Sequence, residues 1–287
     1  MRTPVALALA ASVLVAGAGC SSDDQQSPDP DGATYVALGD SYTAAPGVPD
    51  MVDAGCGRSS ANYPALVAGE LGLELTDVSC GGASTTSLVG AQETTAGVVP
   101  AQFAALGEGT DYVTLGIGGN DAGLFEKLFS TCLGLRASDP DGAPCLDAMT
   151  AGGSDALLEA IELIQGRVTS ALVGIRDRAP NASIVMVGYP QLMPAEGQCD
   201  QLPLTPRDYD YFRSVLTELG GATKTAAADA EVAYVDVLAA SEGHDVCAGK
   251  DAWVNGVGGN NERASSLHPF AEEQQAVAEL VVAAFED

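Results

Sequence analysis

Tyr35-Val36-Ala37-Leu38-Gly39-Asp40-Ser41-Tyr42-Thr43 is the stretch that decides how this chain is read. Four apolar residues run without a polar break, as in a short strand buried on both faces. Gly39-Asp40 then marks a turn. Ser41 is thereby placed where the chain leaves the carboxyl end of a strand, and in open α/β sheets that end carries ligands and chemistry. Similar apolar runs recur at 73–78, 112–117, 184–187 and 232–237. Helical stretches lie between them at 63–71, 100–105, 122–129, 155–179 and 206–230, with a last one at 271–285. Strands alternating with helices imply parallel pairing through right-handed crossovers. The expected fold class is α/β: a three-layer α/β/α sandwich with a five-stranded parallel sheet, interrupted by loop-rich excursions at 130–154, 189–205 and 241–266.

Ahead of this domain, 1–19 reads as an export signal. Arg2 supplies a short positive region, 5–16 is apolar, and Gly17-Ala18-Gly19 is a cluster of small residues. The apolar run is shorter than the roughly 20 residues that span a bilayer. Cys20 follows, then Ser21-Ser22-Asp23-Asp24. Ala-Gly-Cys here resembles a bacterial lipoprotein box, with Gly17 where leucine is usual, and implies acylation of Cys20. Residues 20–32, polar and containing Pro28 and Pro30, read as a lipid-anchor cysteine and flexible tether. The remaining 33–287 is within single-domain range for an α/β fold. The chain is expected to be extracytoplasmic, touching a membrane only through its N-terminal lipid anchor, or freely secreted if Cys20 is not acylated.

Twelve Lys+Arg against 39 Asp+Glu give a formal charge of −27. That balance argues against nucleic acid and against docking on anionic headgroups, and it keeps an exported protein soluble. Setting Cys20 aside leaves six cysteines, an even number suited to an oxidising compartment. Six cysteines allow fifteen pairings. Cys132 and Cys145 bracket a Gly/Asp/Pro-rich loop, and the expected set is sequential: Cys56–Cys80, Cys132–Cys145, Cys199–Cys247. A zinc site has little support, since there is no CxxC pair and there are only two histidines. No metal or cofactor is expected.

A serine hydroxyl is a poor nucleophile until a base within hydrogen-bond reach takes its proton, and histidine is the usual base near neutral pH. His244 lies in an acidic loop beside Cys247 and reads as a surface residue. His268 precedes Pro269, which suits the first turn of the last helix, so its loop can return to the carboxyl edge of the sheet. Acyl transfer also needs donors for the oxyanion. Gly118-Gly119-Asn120-Asp121 follows the run 112–117, and Asn120 can offer its amide. Cys80-Gly81-Gly82-Ala83 follows 73–78 and can offer a backbone N–H, as can Ser41 itself.

Gly39-Asp40-Ser41, Gly82, Gly118-Gly119-Asn120-Asp121 and Ser265-Ser266-Leu267-His268 occur in the order and at the spacing of the SGNH (GDSL-type) serine hydrolases, a family this chain resembles over 33–287. The resemblance implies the flavodoxin-like SGNH fold, Ser41 as nucleophile and His268 as base. It implies an oxyanion hole of the Ser41 N–H, the Gly82 N–H (Gly81 being the alternative) and the Asn120 side chain, with Asp40 and Asp121 ordering the turns. One departure stands out. The family's last block is Asp-x-x-His, and Ser265 occupies the aspartate position, where it cannot supply a carboxylate. A branch of secreted actinobacterial esterases and lipases, with a Ser–His dyad and three sequential disulfides, has the same departure. That similarity makes the Ser265 carbonyl the expected acceptor for the His268 Nδ1–H.

The function expected is exported carboxylic ester hydrolysis on acyl esters or lipids by a monomer. Polysaccharide deacetylation by the same family and a non-catalytic binding protein are the alternatives. The α/β-hydrolase pattern Gly-x-Ser-x-Gly is not met around Ser41. Leu124, Phe125, Leu128 and Phe129 could line an acyl groove or, as one apolar helix face more often does, belong to the core.

Overall fold

The computed structural model describes Met1 and residues 32–286. The Cys20 acylation site, the tether through Asp31 and all of the leader but Met1 lie outside them. The strands of the main sheet are β1 (Thr34–Gly39), β2 (Glu74–Asp77), β3 (Tyr112–Gly116), β4 (Ser183–Val187) and β5 (Ala233–Val235). All pair in parallel in the order β2-β1-β3-β4-β5. This is the doubly wound order whose switch point falls between β1 and β3, where a crevice opens outside the strand ends.

Alternation along β1 shows why its sequence has no polar break. Val36 and Leu38 enter one core with Val113, Leu115 and Ile184, joined by Leu88 of the short α3 (Thr85–Val89) and covered by α4 (Ala156–Arg178) and α5 (Pro206–Asp229). Tyr35 and Ala37 enter a second core with Tyr112, Val185 and Val235, covered by α2 (Tyr63–Leu71) and α6 (Ala271–Glu286). A period of two serves both layers, so every position must be apolar.

The helix ends follow local rules. Asn62 accepts from the Ala65 N–H at the start of α2, which ends on Gly72 in the left-handed region. Asp155 and Thr205 cap α4 and α5 in the same way, with Pro206 in the first turn of α5.

Two expected helices differ. The stretch 100–105 makes only a 3₁₀ turn, Gln102–Ala105. The stretch 122–129 breaks at Ala122, whose φ of 51° is left-handed, and continues as Leu124–Glu126 and the wider turns of Lys127–Cys132. Leu124 and Leu128 are fully buried in the larger core, so the core reading of this face holds. Short ribbons pair Met51–Asp53 with Arg58–Ser59 and Gln92–Thr94 with Gly97–Val99. Strands of two or three residues carry no periodicity to read. The three disulfides are Cys56–Cys80, Cys132–Cys145 and Cys199–Cys247, as expected.

Candidate active site

Strand β1 ends at Gly39, paired in register with Gly116 of β3. A Cβ at Gly39 would lie 2.2 Å from the Thr43 Oγ1 and 2.8 Å from the Gly116 carbonyl, so only glycine lets the chain turn back this tightly. Buried Gln102 clamps the same residue, accepting from its N–H and donating to its carbonyl, both at 2.9 Å. Asp40 then caps the one-turn helix α1 (Ser41–Ala44), accepting from the Tyr42 N–H at 2.9 Å. Ser41 is the first residue of that turn and is 8% exposed.

The second turn, after β2, is held on all sides. The Gly81 N–H donates to the Cys56 carbonyl at 2.8 Å, and Gln92 donates to the Gly81 carbonyl at 2.8 Å. Gly82 sits at φ +73°, where a side chain would be strained. Among the described residues the N–H groups of Ser41 and Gly82 have no hydrogen-bond partner, whereas that of Gly81 is taken. The open donor in this turn is therefore Gly82.

Asn120, after β3, donates its side-chain amide to the Ala83 carbonyl at 2.9 Å, which ties the third turn to the second. Asp121 strengthens the tie by accepting from the Thr85 N–H at 2.9 Å and from Arg167 at 3.2 Å. Asp40 and Asp121 thus order the turns through backbone groups.

His268 is half-buried on the loop before α6. No hydrogen bond joins its ring to the Ser41 hydroxyl among the described residues. Such contacts are often loose until substrate binds. Tyr42, the residue after Ser41, brings the two segments together: its hydroxyl donates to the Leu267 carbonyl at 2.7 Å and its ring centroid is 5.4 Å from the imidazole.

The carbonyl facing His268 Nδ1 is that of Ser266, at 2.8 Å, not that of Ser265. The Ser265 carbonyl is already engaged by the His268 backbone N–H at 3.1 Å. Leu267, at φ +61°, reverses the chain so that the ring turns toward the carbonyl two residues back. Burial pulls the His268 pKa below the usual histidine value, opposed by the Ser266 bond. His244 stacks on Trp253 with its Nδ1 at 2.7 Å from the Asp251 carbonyl, and among the described residues no hydrogen bond joins it to Ser41 or His268.

Residues 37–276 match the model of the GDSL-like lipase/acylhydrolase family. The chain belongs to that family. This hydrolase is 41% identical over 220 residues to Lipase 2 of Streptomyces coelicolor, covering 74% of this chain and 72% of that one. It is similar to two solved structures. Phospholipase A1 of Streptomyces albidoflavus has a TM-score of 0.71 at 30% identity, with 88% of this chain and 98% of that chain covered. The extracellular lipase of Streptomyces rimosus has a TM-score of 0.72 at 28% identity, with 88% and 99% covered. The hydrolase is accordingly a carboxylic ester hydrolase.

Sequence reasoning missed the clamps, Gln92, Gln102 and Tyr189. The hydroxyl of buried Tyr189 donates to the Asp40 carboxylate and accepts from the Gly119 N–H at 2.8 Å. Tyr189 directly follows β4 and Gly188, so it too stands at a strand's carboxyl end, the same signal that marked Ser41.

Proposed function

We propose that this hydrolase cleaves acyl esters through a Ser41–His268 dyad in which the Ser266 carbonyl orients the imidazole. Ser41 Oγ attacks the ester carbonyl while His268 takes its proton. The oxyanion is received by the N–H groups of Ser41 and Gly82 and the Asn120 amide. His268 returns the proton to the departing alcohol; it then takes a proton from water, which attacks the acyl-enzyme carbonyl, and gives that proton to Ser41 Oγ as the carboxylic acid leaves. The observation that carries this reading is the pair of N–H groups, on Ser41 and Gly82, unpartnered among the described residues, together with an Asn120 amide tethered to the carbonyl of Ala83, the residue after Gly82. Preorganised donors of this kind stabilise developing charge without reorganising during the reaction.

The substrate class that fits is an acyl ester with a lipid or simple alcohol, in line with the lipase and phospholipase relatives. Export is supported by the three disulfides and the signal-like 1–19, and anchoring through acylated Cys20 by the Ala-Gly-Cys sequence. The protein is taken to act as a monomer, without cofactor. Turnover of a p-nitrophenyl ester series and labelling by a fluorophosphonate probe test the chemistry. Ser41→Ala should lose both, and wild-type turnover by that variant would end this reading. Fatty-acid labelling of wild type but not of Cys20→Ala checks the anchor.

A further inference from the structure

The turns after β1 and β3 each carry a proposed site residue, and a single buried hydroxyl bridges them. Tyr189 enters from the end of β4. Its oxygen donates to one carboxylate oxygen of Asp40, in the nucleophile turn after β1, and accepts from the N–H of Gly119, in the turn after β3. The second carboxylate oxygen of Asp40 accepts from the Tyr42 N–H, so both residues flanking Ser41 are tied to this one point. On the other side, Gly119 immediately precedes Asn120, whose amide is pinned to Ala83. The Tyr189 ring is fixed against Tyr42 and Phe125, edge-on to each, with centroids 5.1 Å away in both cases.

We infer that the Tyr189 hydroxyl is a positioning residue that holds Asn120 at a set offset from the Ser41 turn. This rests on the proposed role of Asn120 in the oxyanion hole. Among the described residues it is the sole hydrogen-bond partner of the Gly119 N–H. A buried N–H left without an acceptor costs free energy until the peptide rotates to find another. Rotation of the 118–119 peptide, to which the Gly119 N–H belongs, would carry Asn120, the next residue, out of alignment, while the aromatic packing, which depends only on the ring, would stay. Because the hydroxyl touches no reacting atom, its effect passes through the two groups it bonds, Asp40 and the Gly119 N–H, and the share that runs through Asn120 is what a coupling measurement isolates.

A double-mutant cycle between Tyr189→Phe and Asn120→Ala reads that coupling. Tyr189→Phe should lower kcat by about ten- to a hundredfold, the equivalent of leaving one buried donor unmet. KM should stay within about twofold and the circular dichroism spectrum should be unchanged. In the Asn120→Ala background the same change should cost less than about threefold, because the group being positioned is gone. A wild-type kcat for Tyr189→Phe overturns the inference. So does an equal loss in both backgrounds, the mark of a role independent of Asn120. If Asn120→Ala alone keeps the wild-type kcat, the oxyanion-hole reading fails first and takes this inference with it; that single variant keeps the two failures distinct. Should Tyr189→Phe not fold, a fluorinated tyrosine at position 189, whose oxygen accepts less well from the Gly119 N–H, goes through the same cycle and is decided by the same outcomes.

Discussion

At the scale of single residues, His268 sets how the base responds to pH and Asn120 bears on the size of kcat. Only neutral His268 can accept the Ser41 proton. Burial favours that neutral form, so the base stays available at lower pH than an exposed histidine would. The acid limb of kcat/KM should therefore fall below 6.5, the ordinary histidine value. A pH profile on a soluble ester checks this, and a limb centred above 6.5 would contradict it. Asn120 carries the second expectation. Removing one oxyanion donor typically costs about 10²–10³ in kcat, so Asn120→Ala should do so with little change in KM.

At the scale of elements, the docking of α6 decides whether His268 reaches the site at all. Buried Gln274 joins three helices: its carbonyl accepts from the Tyr63 N–H of α2 at 2.7 Å, and its amide donates to the Tyr42 carbonyl of α1 at 3.1 Å. The same amide donates to Glu273, a carboxyl whose burial pushes its pKa from 4.5 to about 8. In the unfolded chain Glu273 titrates near its ordinary value, so between the two values the folded state binds the proton more tightly. Its contribution to stability is complete below about pH 4.5 and is lost as pH rises through about 8. Asp40, raised to about 7 by burial, acts in the same direction. Glu273→Gln should flatten this fall: at pH 8 it should melt above wild type, by the equivalent of a few kcal/mol at most, and at pH 5 the difference should shrink. Equal pH dependence of Tm in the two proteins would refute it.

A second element-scale contact lies far from the chemistry. Asp208, in the first turn of α5, accepts from the N–H groups of Cys145 and Leu146, both at 3.1 Å. It therefore caps the short helix Pro144–Thr150 from a neighbouring helix. Asp208→Ala strands those donors and should cost about 1–3 kcal/mol in denaturant unfolding while kcat stays within about twofold.

For the whole molecule, the disulfides pin segments that have no ladder of their own. They close chain separations of 24, 13 and 48 residues. On the chain-entropy account, loops of this size contribute about 3–4 kcal/mol each, most for the longest. Replacing both cysteines of a pair by serine should thus lower stability more for Cys199–Cys247 than for Cys132–Cys145. Cys56–Cys80 should differ in kind. The Cys56 carbonyl holds the Gly81 N–H one residue after Cys80, so losing this bridge should also lower kcat in protein that remains folded. Unfolding curves with activity measured below the transition separate the two effects.

Local chemistry made much of this legible in the sequence. The apolar run before Gly39-Asp40-Ser41 and the glycine turns at 81–82 and 118–119 are each decided by residues within a few positions. The long helices α2, α4, α5 and α6 were legible for the same reason. Tertiary structure alone decided which carbonyl faces His268, because one left-handed residue, Leu267, turned the ring from Ser265 to Ser266. It also decided that Ala122 would break a helix, and that Gln92, Gln102 and Tyr189 would brace turns 11, 63 and 149 residues away. Hydrogen bonds between distant segments depend on where the packed sheet brings those segments together, and no local pattern in the chain records that distance.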